Sequence, residues 1–304
     1  RESWVVVDEI QRLPSLLNEV HRYIEERRLR FALLGSSARK LKAAGTNLLA
    51  GRALRKQMFP LTPQELGADF DLETVLRFGS LALTWRASDR RATLLAYVQT
   101  YLREEIRAES LVRNLPGFAR FLPVAALFHG QVINIAGIAR DAGTARTTVD
   151  GYVEILEDTL LASRLPAYEA RLRVRERKHP KLYWIDAGIV RAVKKQLEVP
   201  SAEERGHLLE GWVHMLLRCY AEERALYDEI YYWAPGQARQ LEVDFLLQRG
   251  RELLAIEVKT SPRLQPAQLA GLAAIAELPK VVRRILVYGG TRVLRTPAGV
   301  EVWP

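Results

Sequence analysis

Three polar residues near the C-terminal end have the types and the spacing needed to cut a phosphodiester bond. Asp244 lies on a predicted strand over residues 241–248, and Glu257 and Lys259 lie on the next one, over residues 252–259. Side chains alternate between the faces of a strand, so Glu257 and Lys259 share one face and the apolar residues between them are buried on the other. Carboxylates placed in this way hold Mg²⁺ or Mn²⁺ ions that stabilise the scissile phosphate, while a lysine positions or activates the attacking water.

A helix that precedes these strands contributes a fourth candidate, Glu210. Ser201 and Glu204 form a predicted capping box that opens the helix, which runs to about Arg224. The pattern then predicts three strands, a helix and two further strands, over residues 229–233, 241–248, 252–259, 266–278, 284–288 and 300–303.

This order of elements resembles the restriction-endonuclease-like core. The resemblance implies that Glu210, Asp244 and Glu257 bind the metal ion and that Lys259 is the catalytic lysine, because these four residues match the motif position by position. Many domains of this type keep the fold only as a DNA-binding or assembly module. Cleavage and binding alone therefore both stay open at this point.

A second group of acidic residues follows the first predicted strand of the chain. Trp4 to Val7 form an apolar run that suits a parallel strand buried on both faces, and Asp8 and Glu9 follow it directly. An apolar strand that ends in Asp-Glu is typical of a Walker B motif, in which the aspartate holds Mg²⁺ and a neighbouring carboxylate polarises the attacking water. The alternative is a buried strand that runs into an ordinary polar turn.

The next segments extend this pattern into a strand–helix–strand unit. A helical pattern covers residues 13–30, and a second buried strand ends at Gly35, Ser36 and Ser37. Two parallel strands joined by a helix form a βαβ unit. The two serines lie where an ATPase sensor would contact the γ-phosphate. Arg52 is either an arginine that reaches a phosphate or a surface residue in a basic stretch.

Four short segments carry a resemblance to a family of bacterial and archaeal AAA+ ATPases. They read DEIQ from Asp8, GSSA from Gly35, GR from Gly51 and PLTPQEL from Pro60. The resemblance covers essentially the whole chain. It implies a P-loop ATPase sheet followed by a winged helix and a nuclease-like domain, with ATP and Mg²⁺ as cofactors of the intact protein.

The phosphate-binding loop of such an ATPase is missing. No G-x-x-x-x-G-K-[ST] motif occurs in the 304 residues. We therefore expect the chain to be a fragment of a longer protein, cut within its ATPase domain, and not to hydrolyse ATP as it stands. A degenerate ATPase is the alternative. AAA+ domains often form rings, so a homo-oligomer is expected only of the intact protein.

A helix-turn-helix is predicted in the middle of the chain. Helical patterns over residues 133–141 and 144–158 flank Ala142 and Gly143, and Thr144 is placed as the N-cap of the second helix. The side chains expected to contact DNA are Arg146, Thr147 and Thr148 at the start of that helix, and Arg171, Arg173 and Arg175 in a basic run placed like a wing. Acidic residues farther along the second helix favour the alternative of a lever between domains.

Two further stretches carry no clear chemistry. Residues 69–113 are predicted to form helices of a lid or connector, and residues 181–188 a strand and turn. Within that turn Asp186 either acts in catalysis or accepts hydrogen bonds from the backbone, and the second role is favoured.

Composition narrows the class of protein and of partner. A net charge of +9 favours an anionic partner, and DNA is the expected one. The alternative is an arginine-rich surface that only confers solubility. The single cysteine excludes an intrachain disulfide and a cysteine-based zinc site, which fits a reducing cytoplasm. No apolar run is long enough to span a membrane.

These observations predict an α/β multidomain protein with four parts. Residues 1–66 are the end of an ATPase domain, 67–115 a helical connector, 116–200 a winged helix-turn-helix and 201–304 a restriction-endonuclease-like domain. The predicted function couples ATP binding and hydrolysis to DNA binding and Mg²⁺-dependent cleavage. The alternative is an ATP-driven switch whose C-terminal domains only bind DNA or a protein partner.

Overall fold

The computed structural model describes residues 3–35, 52–101, 106, 112, 114–168, 179–235 and 241–304. Within these residues the chain is a mixed α/β protein with separate sheets of two, six and three strands. The predicted α/β class is confirmed at this level. Among the described helices none is long and apolar enough to cross a bilayer.

The N-terminal part is the predicted strand–helix–strand unit. Strand β1 (Trp4–Val7) pairs in parallel with β2 (Arg30–Leu33), and helix α1 (Leu16–Arg27) connects them. The helix is shorter than the predicted 13–30 because Arg28 adopts a left-handed conformation, φ 53°, and its N–H closes the last turn on the carbonyl of Ile24. Buried Ile10, Leu17 and Val20 form the small core of this unit, so α1 packs on one face of the sheet.

The prediction that β1 is buried on both faces is wrong. Trp4 and Val6 are 59% and 62% exposed. In the described residues this sheet has only the two strands β1 and β2, and the packed side chains lie on the α1 side. An apolar run predicts burial only where neighbouring elements cover both faces, and that condition is not met here.

One short helix at the end of the predicted ATPase part is followed by the short helices of the predicted connector region. These are α2 (Pro63–Leu66), α3 (Leu72–Phe78), α4 (Ala82–Trp85) and α5 (Arg90–Ala96), which continues into a π-helical turn (Tyr97–Tyr101). Thr62 and Glu65 form a reciprocal capping box at the start of α2, and Asp71 and Asp89 cap α3 and α5. Each cap satisfies N–H groups that a helix start leaves unpaired, so these side chains set where the short helices begin.

The middle part contains the predicted helix pair and a small sheet. Helix α6 (Leu115–Leu127) is followed by β3 (Gln131–Val132), α7 (Ile135–Asp141), α8 (Arg146–Asp158), β4 (Ala162–Leu165) and β5 (Lys181–Trp184). The strands are antiparallel in the order β3-β5-β4. The predicted N-cap Thr144 is wrong: Ala145 precedes α8 without a side-chain cap, and the Thr144 hydroxyl lies 3.5 Å from the carbonyl oxygen of Ala142.

Asp186 satisfies backbone groups, as favoured from the sequence. It caps helix α9 (Ala187–Lys194) by accepting the Ile189 N–H at 3.1 Å, and it also accepts the Ser80 N–H at 2.7 Å. Burial raises the pKa of Asp186 to about 6, against the opposing effect of these backbone hydrogen bonds. The carboxylate therefore joins α9 to the end of α3.

The C-terminal part follows the predicted element order. It comprises α10 (Ala202–Arg224), β6 (Glu229–Trp233), β7 (Val243–Arg249), β8 (Glu252–Lys259), α11 (Ala270–Ala274) between two 3₁₀ turns (Pro266–Leu269 and Ile275–Glu277), β9 (Val281–Tyr288), β10 (Leu294–Arg295) and β11 (Glu301–Trp303). The sheet order is β10-β11-β9-β8-β7-β6. Strands β8, β9 and β11 are parallel to one another, β7 is antiparallel to β8, and the edge strand β6 is antiparallel to β7.

Several details of this part differ from the sequence prediction, among them the starts of β7 at Val243 and of β9 at Val281. The helix expected over 266–278 is α-helical only in α11, and the short strand β10 was not predicted. The Ser201 hydroxyl does accept the Glu204 N–H at 3.2 Å. The reciprocal half of that capping box is replaced, because the Glu204 carboxylate binds Arg191 and Lys194 on α9 instead.

Two clusters of buried apolar side chains cover the faces of the six-stranded sheet. The larger one includes Leu76 of α3, Leu208 of α10 and Ile285 of β9, so the middle part packs against the sheet through α10. The smaller one joins Val243 of β7 to Leu272 of α11 on the opposite face. The sheet is therefore a central layer between helices, and its strand ends are held in fixed positions.

Candidate functional site

The candidate site begins where strands β7 and β8 separate. Their antiparallel pairing ends at Phe245 and Ile256, whereas β8 stays paired with β9 as far as Lys259. Asp244 lies just beyond the last pair, and its Oδ2 accepts the N–H of Val258 at 2.8 Å. The carboxylate therefore accepts the N–H of Val258, which a backbone carbonyl would accept if the pairing of β7 and β8 continued.

Glu257 and Lys259 meet on one face of β8, as the period of two predicts. Glu257 Oε1 accepts a hydrogen bond from Lys259 Nζ at 2.5 Å. Glu257 is only 6% exposed, and its second oxygen, Oε2, is buried without a hydrogen-bond partner among the described residues. Burial and the charge of Asp244 raise the pKa of Glu257 to about 8, and the ammonium of Lys259 opposes this shift.

Glu210 faces the same region from α10. Its Oε1 accepts hydrogen bonds from Lys181 Nζ at 2.8 Å and from the Tyr183 hydroxyl. Burial and the charge of Asp244 raise the pKa of Glu210 to about 7, while Lys181 and Tyr183 act in the opposite direction. The structure therefore places Glu210 close to Asp244, with part of its hydrogen-bonding capacity already used.

Lys181, which the sequence analysis did not select, lies at the centre of an acidic cluster. Its Nζ is 2.8 Å from Glu210 Oε1, 3.8 Å from Asp244 Oδ1, and in direct contact with Glu242 Oε1. Burial alone lowers the pKa of Lys181, but the charges of the three carboxylates outweigh it and raise the pKa above its ordinary value. This side chain comes from β5, in a different sheet from Asp244 on β7, and Glu242 directly precedes β7.

Lys181, Tyr183 and Glu242 were not selected from the sequence, although each lies two positions from another polar residue. Lys181 and Tyr183 are two positions apart on β5 and so lie on one face of it, and Glu242, just before β7, is likewise two positions from Asp244. The sequence prediction placed only Glu257 and Lys259 together on one strand face. Nothing in the order of elements indicates that β5 and β7 approach each other.

The residues present fit one divalent cation. Asp244 and Glu257 offer carboxylate oxygens at the open end of the sheet, and the unpartnered Oε2 of Glu257 lacks the cation or donor that a buried carboxylate needs. Among the described residues, the carboxylates of Glu210, Glu242, Asp244 and Glu257 form ion pairs with two ammonium groups, those of Lys181 and Lys259. Carboxylate oxygens are the ligands that Mg²⁺ prefers, so Asp244 and Glu257 are the residues that would hold it.

The N-terminal candidates are placed at the end of β1 and near α1. Asp8 Oδ1 accepts the Glu9 N–H at 2.9 Å, and Glu9 Oε2 accepts a hydrogen bond from Gln11 at 2.7 Å. Arg52 pairs with Glu25 of α1 at 2.5 Å, so its guanidinium already has a carboxylate partner. Ser36 and Ser37 lie outside the described residues.

The predicted DNA-contacting residues are accessible where they are described. Arg146 and Thr147 are exposed and Thr148 is half-buried in the first turn of α8. Asp150 and Glu154 follow on the same helix. Arg171, Arg173 and Arg175 lie outside the described residues.

Three family models match consecutive parts of the chain. Residues 1–67 match an AAA domain, residues 70–200 a domain of unknown function (DUF8612), and residues 205–304 a second domain of unknown function (DUF4143). The first and third matches support an AAA-type ATPase family. An AAA-type domain indicates nucleotide binding, typically with Mg²⁺.

Two curated relatives resemble nearly the whole chain. They are the uncharacterized protein Rv2008c of Mycobacterium tuberculosis and the uncharacterized protein Mb2031c of Mycobacterium bovis, each 26% identical over 293 residues. The match covers 94% of this chain and 65% of each relative, so the chain spans about two thirds of their length. Among solved structures, protein VC1899 from Vibrio cholerae matches over 96% of this chain and 82% of that one, at 16% identity and a TM-score of 0.24, which carries no argument about the fold.

Proposed function

We propose that this chain belongs to an ATPase of the AAA type whose C-terminal part cleaves DNA with the help of Mg²⁺ or Mn²⁺. The observation that carries the proposal is the convergence of Asp244, Glu257 and Lys259 at the point where β7 and β8 separate, with the Oε2 atom of Glu257 buried and unpartnered. Nucleotide binding and hydrolysis in the intact protein would control access to this site.

Each residue of the site has a role that its position supports. Asp244 and Glu257 would hold the divalent ion, which when bound stabilises negative charge on the scissile phosphate. Lys259 has donors free beyond its contact with Glu257 and is about one third exposed, so it can position the attacking water or a phosphate oxygen. Glu210 accepts hydrogen bonds from Lys181 and Tyr183, and its carboxylate would add negative charge to the site.

The middle part supports the DNA-binding half of the proposal. Helices α7 and α8 with the antiparallel strands β3, β4 and β5 have the element order of a winged helix-turn-helix. Arg146 and Thr147 are exposed at the start of α8, where a recognition helix contacts DNA. The net charge of +9 favours a polyanionic partner.

The test is cleavage of supercoiled and linear DNA in Mg²⁺ or Mn²⁺. Lys259→Ala is compared with Lys280→Ala, which removes the same charge at the opposite end of the sheet, where Lys280 precedes β9 and its carbonyl pairs with Leu253. We expect cutting by the wild-type chain and by Lys280→Ala, and none by Lys259→Ala. Equal cutting by all three would show that cleavage does not depend on Lys259 and would contradict the proposed site.

A second function is favoured by the position of Lys181. Because its ammonium already lies among three carboxylates, the alternative function is a metal-free switch whose C-terminal part only binds DNA or a protein partner. Salt-dependent DNA binding without cleavage, in the full-length protein with ATP, would favour this function. If the protein is instead an ATPase that only recruits a protein partner, it should show no affinity for DNA even at low salt.

A further inference from the structure

The cluster around Lys181 suggests how many divalent ions the site accepts. Carboxylate oxygens of Glu210, Glu242 and Asp244 all lie within 4.8 Å of one another, close enough for one cation to contact all three. The cation present is the ammonium of Lys181. Two-metal sites of phosphate-cleaving enzymes place their ions a few ångströms apart. Here Asp244 belongs to this cluster and is also, with Glu257, one of the two residues proposed to hold the divalent ion.

The backbone of Lys181 is held in place from both sides. It belongs to the central strand of its sheet, and it pairs with Val132 of β3 and Leu165 of β4. The residue is 3% exposed, and its Nζ lies 5.6 Å from the ring centre of Tyr232. A charged group so enclosed is retained only when it is paired, and withdrawing it would leave three carboxylates unpaired.

We propose that Lys181 is a resident cation of this site: its ammonium takes the place of a second divalent ion among Glu210, Glu242 and Asp244. Part of this inference rests on the proposed function, namely that the remaining divalent ion lies between Asp244 and Glu257. Lys181 is too buried to touch a DNA substrate, so it is a positioning residue. It limits the metal count to one and holds Glu210 and Glu242 away from the ion.

The test is the number of Mn²⁺ ions bound per chain, measured by titration calorimetry and by electron paramagnetic resonance on the whole chain. We expect Lys181→Met to bind one ion more than the wild type, because the vacated cluster then has three carboxylates without a cation. The extra ion should disappear in the double variant Lys181→Met/Glu242→Gln, which removes one of its ligands. No gain in Lys181→Met, or a gain that survives the second substitution, would overturn the inference.

Two further variants keep the inference testable if Lys181→Met does not fold. Lys181→Gln retains a hydrogen-bond donor for Glu210 while removing the charge, and it should also gain one ion. Glu242→Ala, made with Lys181 in place, should bind as many ions as the wild type, since Glu242 contacts the ammonium. Loss of an ion in Glu242→Ala would show that Glu242 holds metal despite Lys181, and would overturn the inference.

The same titration separates this inference from the proposed function. A wild-type chain that binds no Mn²⁺ would contradict the ion between Asp244 and Glu257, and with it metal-dependent cleavage. A gain of one ion in Lys181→Met would support the role of Lys181 when the wild-type chain binds one ion or none. A wild-type count of two would overturn the inference while leaving the proposed function standing.

Discussion

Asp244 and Val258 are joined by a hydrogen bond that crosses between two separating strands. The Asp244 carboxylate accepts the Val258 N–H at 2.8 Å, one residue beyond the last backbone pair of β7 and β8. Val258 lies between Glu257 and Lys259 on β8. The bond therefore fixes the Asp244 carboxylate relative to both of the other candidate residues, and it uses only one of the two carboxylate oxygens.

This arrangement predicts that Asp244→Asn separates folding from metal binding. The amide oxygen can still accept the Val258 N–H, so we expect stability close to that of the wild type, whereas the lost charge should weaken Mn²⁺ binding about tenfold or more. Asp244→Ala loses both features and should also lower the free energy of unfolding by about 1–3 kcal/mol. Urea unfolding and Mn²⁺ titration check the pair. Wild-type Mn²⁺ affinity in Asp244→Asn would contradict the assignment.

The Tyr183 hydroxyl should contribute measurably to stability. It donates to Glu210, which is nearly buried, so Tyr183→Phe leaves that carboxylate with one donor fewer. We expect a loss of about 1.5–3 kcal/mol in the free energy of unfolding, the range for a hydrogen bond to a charged group. Tyr231→Phe is the matched control, because its ring packs against Tyr168 and would be retained. Equal losses for both variants would argue against the bond.

His129 should make the protein less stable in acid. Its Nδ1 accepts the Trp184 N–H at 3.1 Å, and burial, with the charges of His207 and Lys194, lowers the pKa of His129 to about 3. In the unfolded chain an ordinary histidine has a pKa of about 6.5 and binds a proton first. The contribution of His129 to the free energy of unfolding is therefore fully present above pH 7. It decreases as the pH falls, by about 2 kcal/mol at pH 5.

The variant His129→Asn isolates this contribution. Its amide oxygen can take the place of Nδ1 as acceptor but does not titrate, so the variant should lose less stability than the wild type between pH 7 and pH 5. Nearby His214, whose pKa burial also lowers, is unchanged in both proteins. Chemical unfolding at the two pH values provides the measurement, and identical slopes would exclude His129 as the cause.

Two helical glycines predict opposite effects of the same substitution. A Cβ at Gly188 in α9 would lie 2.1 Å from the carbonyl oxygen of Phe78, which is backbone and has no room to move. We expect Gly188→Ala to destabilise the protein by about 1–3 kcal/mol. A Cβ at Gly151 in α8 meets nothing within 4 Å, so Gly151→Ala should stabilise by up to about 1 kcal/mol. Thermal unfolding of the two variants compares them directly.

Local pattern was a reliable guide to the C-terminal strands and to the residues that share a face. The bounds of β6 and β8 agree with the sequence prediction at both ends, and Glu257 and Lys259 lie together because side chains alternate along any strand. The long helix α10 also begins and ends where its cap and its basic end indicate. These features depend on interactions between residues close in sequence, so the sequence by itself determined them.

Tertiary structure alone decided which charges meet. Lys181 and Asp244 are 63 positions apart and belong to different sheets, and only the packing of the middle part on α10 brings them within 3.8 Å. The apolar run around Trp4 likewise did not predict the exposure of this side chain, because burial depends on which elements cover the strand. The raised pKa values of Glu210 and Glu257 follow from the same packing, since desolvation and the charge of Asp244 act through space and not along the chain.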